Sequence, residues 1–211
     1  MDVTKRSKLT RRHLIKGGVG ALASTALANS MAKPSPSTIH WDETFDVIVV
    51  GSGLAGFCAG ITAAELGRKT VILEKMGAPG GSSVISGGTF AACNTPAQAK
   101  EGIQDSVEKY IQDVMKAGQR LNVPALVRVM AEESASGLQF LMDRGAQYNP
   151  ELRIVAGHSV KRCFQPLYNN GLSVIQPLYR HYMSLKGADL RLRTKVDEII
   201  RDPKGHVVGV K

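Results

Sequence analysis

Gly51-Ser52-Gly53-Leu54-Ala55-Gly56 stands directly after the run Phe45-Asp46-Val47-Ile48-Val49-Val50, and this juxtaposition restricts the chain more than any other feature. The run is β-branched and nearly continuous, so it reads as a buried strand. Residues Phe57 to Leu66 read as a helix stopped by Gly67, and Thr70-Val71-Ile72-Leu73-Glu74 as a second buried strand. Strand, glycine turn, helix and strand form a βαβ unit, which demands a parallel sheet and an α/β fold. Gly51 permits the tight turn, Gly53 lets backbone approach a pyrophosphate, and Gly56 lets the helix pack closely on the strand. The helix start offers free N–H groups and a positive dipole end to phosphates. Glu74, 18 residues after Gly56, can accept hydrogen bonds from ribose hydroxyls. An acid there disfavours a 2′-phosphate, so NADP is not the expected ligand. The plainer alternative is a βα turn whose glycines serve packing alone. The acid at the end of the next strand favours the dinucleotide reading, with FAD and NAD both open at this stage.

Composition matters next. The chain has 211 residues, 43% hydrophobic and 21% charged, as a globular domain with a tail would have. No apolar run is long enough for an internal membrane-spanning helix, and three cysteines cannot build a disulfide framework. Collagen-like, coiled-coil, small disulfide-rich and polytopic membrane classes are excluded. The net charge is +9, from 27 basic and 18 acidic residues, but it is unevenly placed. Residues 1–32 hold Lys5, Arg6, Lys8, Arg11, Arg12 and Lys16 against Asp2, which leaves 21 basic and 17 acidic residues in the body. That excess is too small to argue for nucleic acid or a membrane surface as partner.

Residues 1–32 fall into a basic zone ending at Lys16, an Ala-rich uncharged zone from Gly17 to Ala28, and small-residue cleavage sites at Ala26-Leu27-Ala28 or Ser30-Met31-Ala32. This is the layout of a secretory signal peptide. Thr10-Arg11-Arg12-His13-Leu14-Ile15-Lys16 resembles a twin-arginine export signal, with His13 where that pattern prefers Phe. The resemblance implies a periplasmic or exported protein that folds around a cofactor before export. Residues 33–43 read as a linker and 44–211 as the folded body.

Beyond the βαβ unit, Gly77 to Gly88 reads as a Gly/Ser loop. Asp105-Ser106-Val107-Glu108 reads as a capping box opening a helix with Val107, Tyr110, Ile111, Val114 and Met115 on one face. Helices are expected over about 124–133, 135–144 and 176–186, the last with Pro177 in its first turn. Residues 149–171 read as loop. Leu190–Arg193 and Val196–Ile200 read as strands, Asp202-Pro203-Lys204-Gly205 as a turn, and Val207–Val210 as the returning strand.

Glu74-Lys75, Gly80-Gly81-Ser82-Ser83 and Ser86-Gly87-Gly88 continue the nucleotide site. With these stretches the chain resembles the FAD-binding domain of the fumarate reductase/succinate dehydrogenase flavoprotein family. Within it, the soluble exported fumarate reductases of flavocytochrome c type and the urocanate and other acrylate reductases are most similar. The resemblance covers about residues 44–211 and implies a Rossmann-like α/β fold with a parallel sheet, a helical insertion and a small β meander. It implies that Ser52, Gly53, Leu54 and Ala55 line the pyrophosphate, and that Glu74 and Lys75 hold the adenosine ribose. It also implies that Gly81, Ser82, Ser83, Ser86, Gly87 and Gly88 wrap the pyrophosphate and approach the isoalloxazine, while a strand at Val196 passes the adenine. Membrane-bound members place a His in the Gly/Ser stretch for covalent attachment; Ser82 and Ser83 stand here, so non-covalent FAD is expected. Flavocytochrome members carry C-x-x-C-H haem sites, which Cys58, Cys93 and Cys163 do not form. Any haem donor is therefore expected on another chain or beyond Lys211, and a separate electron donor such as a cytochrome c or a quinol-linked protein is the expectation.

The family's hydride-transfer residues belong to a clamp domain and a C-terminal return that this stretch does not match, so no residue here is assigned a catalytic role. A truncated frame, a split gene or a fragment is the expectation. The expected function is the FAD-binding portion of an exported oxidoreductase that reduces an unsaturated carboxylate such as fumarate or urocanate. Rivals are a ketosteroid- or tricarballylate-type flavin dehydrogenase, a non-catalytic FAD-binding module serving a partner chain, and an inactive remnant. Cys58 reads as a small buried residue and Cys93 and Cys163 as free thiols. His158 reads as structural or superficial; Tyr179, Tyr182 and Met183 read as a core stripe. Lys161, Arg162, Arg180, Arg191, Arg193 and Lys195 read as a solvated face rather than an anion site. The five histidines show no metal-ligand spacing.

Overall fold

Val47–Val50 (β1) and Thr70–Leu73 (β2) are joined through the helix Leu54–Glu65 (α1), as the sequence predicts. They pair in parallel, Val47 with Thr70 through Val50 with Leu73. The computed structural model describes residues 39–211; the expected export signal at 1–32 and positions 33–38 of the expected linker lie outside the described residues. After β2 come Gly81–Ile85 (α2), Phe90–Ala91 (β3), Pro96–Lys100 (α3), Val107–Ala117 (α4), Pro124–Glu132 (α5) and Ser134–Asp143 (α6). Cys163–Phe164 (β4), Leu172–Ser184 (α7), Ala188–Arg191 (β5), Ile199–Arg201 (β6) and Val207–Val210 (β7) complete the chain.

The main sheet has the order β1-β2-β5, all parallel. Phe57, Gly60, Ile61 and Ala64 form the buried stripe of α1, at the spacing of one helix face. Gly60 sets how close that helix can lie. A Cβ there would stand 2.9 Å from Ile72 Cδ1 and 3.1 Å from Tyr182. Tyr182, fully buried on α7, donates its hydroxyl to the carbonyls of Thr70 and Asp189 and so links β2 to β5. Tyr182 is a core residue as expected, whereas Met183 is 45% exposed and leaves the expected stripe.

Several elements differ from expectation for local reasons. β1 is half exposed rather than buried, with Val50 57% accessible, because β2 is its sole strand neighbour among the described residues. α1 begins at Leu54 rather than Phe57, since Gly53 is already its extended N-cap. The Gly/Ser stretch is not wholly loop: Gly80, at φ +107°, starts the short helix α2. α7 starts at Leu172, where Asn170 accepts from the Ser173 N–H and hydroxyl, so Pro177 falls inside the helix. Val196 precedes β6 in irregular extended chain rather than lying in a strand. The turn at Asp202–Gly205 and the hairpin β6–β7 form as predicted, with Trp41 stacked over Gly209.

Helix α4 is bolted to the segment that enters β4 by a buried cation. Arg162 has no exposed surface. Its Nε and Nη2 donate to both oxygens of Asp105 (2.9 and 2.7 Å), and Nη1 donates to Asp113 at 2.9 Å. Tyr110 stacks under the guanidinium at 4.7 Å. This corrects the reading of Arg162 as part of a solvated face. It also explains why Asp105 is not the helix cap: Ser106 caps α4 by accepting from the Lys109 N–H. The capping box lies instead at Thr95 and Gln98 on α3, a signal the sequence reading passed over.

His158 Nδ1 lies 3.2 Å from Arg162 Nη1. A guanidinium has no acceptor, so this nitrogen accepts and the proton sits on Nε2. Burial first, and the Arg162 charge second, hold His158 below its ordinary pKa, against the opposite pull of Asp113 and Asp105. For Asp113, burial pushes upward, but the Ser159 N–H and hydroxyl and the Arg162 charge outweigh it and leave the carboxyl below its usual range.

Two outcomes follow from this cluster. Arg162→Ala strands two buried carboxylates and lowers the unfolding free energy by about 3–5 kcal/mol, read from urea denaturation; a loss near zero would refute the bolt. The folded chain prefers neutral His158, so its contribution is complete above about pH 6.5 and is lost as the pH falls through that value towards the lower folded one. Melting temperatures taken between about pH 7.5 and 5 should decline, and His158→Gln should flatten that decline.

Candidate functional site

The turn between β1 and α1 closes on itself through two glycines. Gly51 sits at φ +94°, and a Cβ on Gly56 would stand 2.0 Å from the Gly51 carbonyl oxygen. Gly56 is therefore a packing residue of the turn, as its motif position predicts. Ser52, between them, is fully buried. Its N–H and hydroxyl both donate to Glu74 Oε2, at 2.9 and 2.6 Å, and its hydroxyl accepts from the Gly80 N–H at 2.9 Å. Glu74 Oε1 accepts from the Met76 N–H.

Glu74 is 4% exposed. Burial pushes its pKa up, but the Ser52 hydroxyl, the N–H groups of Met76 and Ser52 and the Lys75 charge outweigh that and hold the carboxylate ionised. Oε2 has taken two donors and Oε1 one, so one acceptor position remains on Oε1. The Glu74 carbonyl accepts from the Thr194 N–H and the Met76 carbonyl from the Arg193 N–H. These bonds bring residues 193–196 alongside the end of β2.

A cavity of about 580 Å³ opens at this place, lined by Gly51, Ser52, Gly53, Glu74, Lys75, Gly81, Ser82, Ser83 and Val196. Val196 thus reaches the site from irregular chain rather than from a strand. Thr194, Lys195 and Met76 line it too and were not anticipated. A second cavity, of about 410 Å³, is lined by Leu54, Ser83, Ser86, Gly87 and Gly88, with Leu141, Tyr148, Val155, Val174 and Ile175 as its apolar walls. The apolar set was missed because its members are spread over three distant segments. Ser83 lines both cavities, and its hydroxyl accepts from the Leu54 N–H at 3.0 Å at the start of α1. The two spaces are lobes of one trough that meet at this serine. Ala55 lines neither lobe and lies exposed on the first turn of α1.

The inner lobe depends on close backbone contact. The Gly171 N–H donates to the Ser86 carbonyl, and a Cβ on Gly171 would stand 1.7 Å from the Ser83 carbonyl oxygen. Gly88, at φ +69°, lies against Pro166 and the Asn170 carbonyl. The Ser86 hydroxyl donates to the Ser83 carbonyl and accepts from the Gly88 N–H. The segment 83–88 is thereby held to the start of α7. A further apolar groove of about 790 Å³ runs between α1 and α6, past Cys58, Ala63 and Phe140, and borders the inner lobe at Leu54, Phe90 and Leu141. Of the expected site residues it takes in Leu54 alone.

The trough suits a molecule with a polar, phosphate-bearing half and a flat apolar half. Small residues at Gly51, Gly53 and Gly81 leave backbone open in the outer lobe, and nothing but the Ser83 hydroxyl approaches a Cβ built on Gly53. An N–H-rich helix start faces one lobe, and aliphatic walls enclose the other.

Comparison with known proteins agrees with this geometry. The chain is 41% identical to the acrylate reductase flavoprotein subunit of Shewanella woodyi over 99% of its own length and 42% of that protein's. It is 40% identical to the urocanate reductase of Eggerthella lenta, over 79% of this chain and 28% of the relative. The chain therefore spans less than half the length of these relatives. A flavocytochrome c3 fumarate reductase in its open conformation superposes with a TM-score of 0.75 at 35% identity, covering 80% of this chain and 30% of that one. Residues 46–211 match the FAD binding domain, and the chain belongs to that family.

Proposed function

We propose that this chain holds FAD non-covalently in the two-lobed trough, as the FAD-binding portion of an exported oxidoreductase acting on an unsaturated carboxylate of the fumarate, urocanate or acrylate kind. The observation that carries the reading is the junction at Ser83, where a polar lobe anchored on Glu74 meets an apolar lobe walled by α6 and α7. The names of its relatives supply the substrate class, since two are reductases of acrylate and urocanate. When bound, FAD supplies hydride transfer to an activated carbon–carbon double bond.

This chain's own residues bind and orient. The backbone at Gly51–Leu54 receives the pyrophosphate, helped by the dipole of α1. The Ser83 hydroxyl accepts from Leu54 and keeps its own proton for a phosphate oxygen. Glu74 offers its remaining lone pair to a ribose hydroxyl, and Lys75, Thr194, Lys195 and Val196 enclose the adenosine end. Gly81 and Ser82 continue the wrap, and Ser86, Gly87 and Gly88 border the ring. Residues 77–88 contain no histidine, which supports a non-covalent mode. The ordered basic, apolar and small-residue zones of residues 1–32 support export to the periplasm or cell exterior. A separate cytochrome c or quinol-linked protein serves as the electron donor.

The chain incubated with FAD and desalted should keep a flavin spectrum, released by denaturation; a colourless eluate overturns the reading. Gly53→Val, which fills the backbone approach, should weaken FAD binding at least tenfold, while Ser83→Ala should weaken it about three- to tenfold. Equal retention by all three proteins would place the flavin elsewhere. For the substrate class, the protein purified from its own cells should oxidise reduced viologen dye with acrylate, fumarate or urocanate, and failure with all three removes that part of the proposal.

A further inference from the structure

Residues Trp41 to Asp46 tie themselves to later parts of the chain before β1 begins. Trp41 lies against β7, where Gly209 is buried and a Cβ would stand 2.6 Å from the Trp41 ring at Cη2. Gly209 is not in the left-handed region, so the ring rather than the backbone excludes a side chain there. Glu43 accepts from both Nη groups of Arg191, at 2.6 and 2.7 Å, while Arg191 Nε donates to Asp189 at 2.9 Å. The Phe45 ring meets the Lys69 ammonium at 4.4 Å and the Arg191 guanidinium at 5.4 Å. Asp46 accepts from the Lys69 N–H, and Lys69 Nζ donates to the Thr44 carbonyl, both at 2.8 Å. The segment is a strap with partners beside β2, on β5 and on β7.

Two of these partners frame one wall of the outer lobe. Arg191 ends β5, and Thr194, Lys195 and Val196 line the cavity directly after it. On the near side, the Thr194 N–H reaches the Glu74 carbonyl. On the far side, the N–H groups of Asp197 and Glu198 donate to the Lys211 carbonyl, and the Lys211 N–H donates to the Glu198 carbonyl. The wall thus runs straight into the end of β7. The N–H groups of Lys195 and Val196 donate to nothing among the described residues, so the position of these two residues is inherited from the anchors on either side. Trp41 and Glu43 do not line the cavity themselves.

We infer that Trp41 and Glu43 are positioning residues of the outer lobe: they hold β7 and Arg191, the two anchors of the 194–196 wall, and through that wall set the affinity for the nucleotide half of the ligand. The inference rests on the nucleotide reading of the outer lobe and adds a segment that touches no ligand. Such coupling is reciprocal, so a nucleotide that orders the wall also tightens the strap. Trp41 is the only tryptophan of the sequence, and its emission therefore reports on the strap alone.

The test uses the full chain and ADP, a probe of the outer lobe alone. Isothermal titration should show ADP binding weakened about three- to tenfold in Trp41→Ala and in Glu43→Gln. Trp41→Phe keeps a ring against Gly209 and should bind ADP as the unsubstituted chain does. Gly209→Ala displaces the ring from the other side; it should weaken binding as much as Trp41→Ala, and the double variant no further than either alone. Saturating ADP should shift the Trp41 emission of the unsubstituted chain, with a midpoint that matches the calorimetric dissociation constant. Unchanged ADP affinity in Trp41→Ala and Glu43→Gln overturns the inference, whatever their melting temperatures, and leaves the strap a stabilising tie. Additive losses in the double variant overturn it too, as does an emission that ignores ADP. Glu43→Gln preserves shape at an exposed position, so it decides the matter where Trp41→Ala does not fold. If the unsubstituted chain binds no ADP, the nucleotide reading of the outer lobe fails and this inference fails with it; ADP binding indifferent to these substitutions removes the inference alone.

Discussion

One buried carboxylate organises the nucleotide end of this molecule. Glu74 stands where β2 stops, and its oxygens gather N–H groups from Ser52 and Met76 and the Ser52 hydroxyl. Through Ser52 the same network reaches the Gly80 N–H, so the glycine turn, the strand end and the start of α2 form one unit. A buried ionised group is tolerable only when its lone pairs are met, and here three donors meet them. The carboxylate thus serves the fold first, and a single acceptor position remains open on Oε1. A motif reading assigns Glu74 to ribose alone. The structure shows that most of its hydrogen-bonding capacity is spent on shaping the turn between β1 and α1.

A second buried charge does for α4 and the segment before β4 what Glu74 does for the sheet. Arg162 joins Asp105, before α4, to Asp113, within it, and the Ser159 N–H and hydroxyl meet Asp113 as well. Its strand neighbours Cys163 and Phe164 pair with Phe90 and Ala91, directly after the Gly87-Gly88 segment. The segment carrying Val155 and Ala156 to the inner lobe is held by the Arg153 backbone bonds to Arg162 and Cys163. The geometry of the inner lobe is therefore set by a polar network lying outside it.

The βαβ unit was legible because its signals are local. Apolar runs, glycine positions and an acid at a fixed distance all lie within Val47–Glu74, and the parallel register follows. Helices α4, α5 and α6 were legible to within one or two residues from periodicity and stop signals. What escaped was long-range. Nothing near Arg162 distinguishes it from Arg180 or Arg193, since burial is decided by carboxylates 49 and 57 residues away. Asp105 looked like a cap because its sequence fits one, and a distant guanidinium claimed it instead. Pro177 looked like a first-turn residue, yet Asn170 starts the helix earlier, a choice made by one side-chain contact. Of the expected site residues in the outer lobe, all but Val196 lie on the βαβ unit or within ten residues after it. The inner lobe's apolar wall at Leu141, Tyr148 and Val174 has no sequence signature beyond being apolar.

This difference in origin gives the two lobes different physical dependences. The outer lobe is built mainly on one βαβ unit, with α2 and residues 194–196 held to the end of β2 by hydrogen bonds, and its frame persists as long as β1, β2 and α1 stay packed. Gly60 and Tyr182 secure that packing at the centre of the largest apolar cluster. The inner lobe is assembled from α1, the 83–88 segment, α6, the 148–156 segment and α7, which meet through tertiary contact alone. Elements held by a few tertiary links open locally at lower free energy than a central sheet does. The outer lobe is therefore a shaped space before any ligand arrives. The walls of the inner lobe are ordered by Arg162, by Gly171 against Ser83, and by the backbone bonds of Gln147 and Asn149 on either side of Tyr148. A ligand spanning both lobes links the stable half to the looser one, and its flat half contributes binding energy only to the extent that these remote contacts keep the inner walls in place.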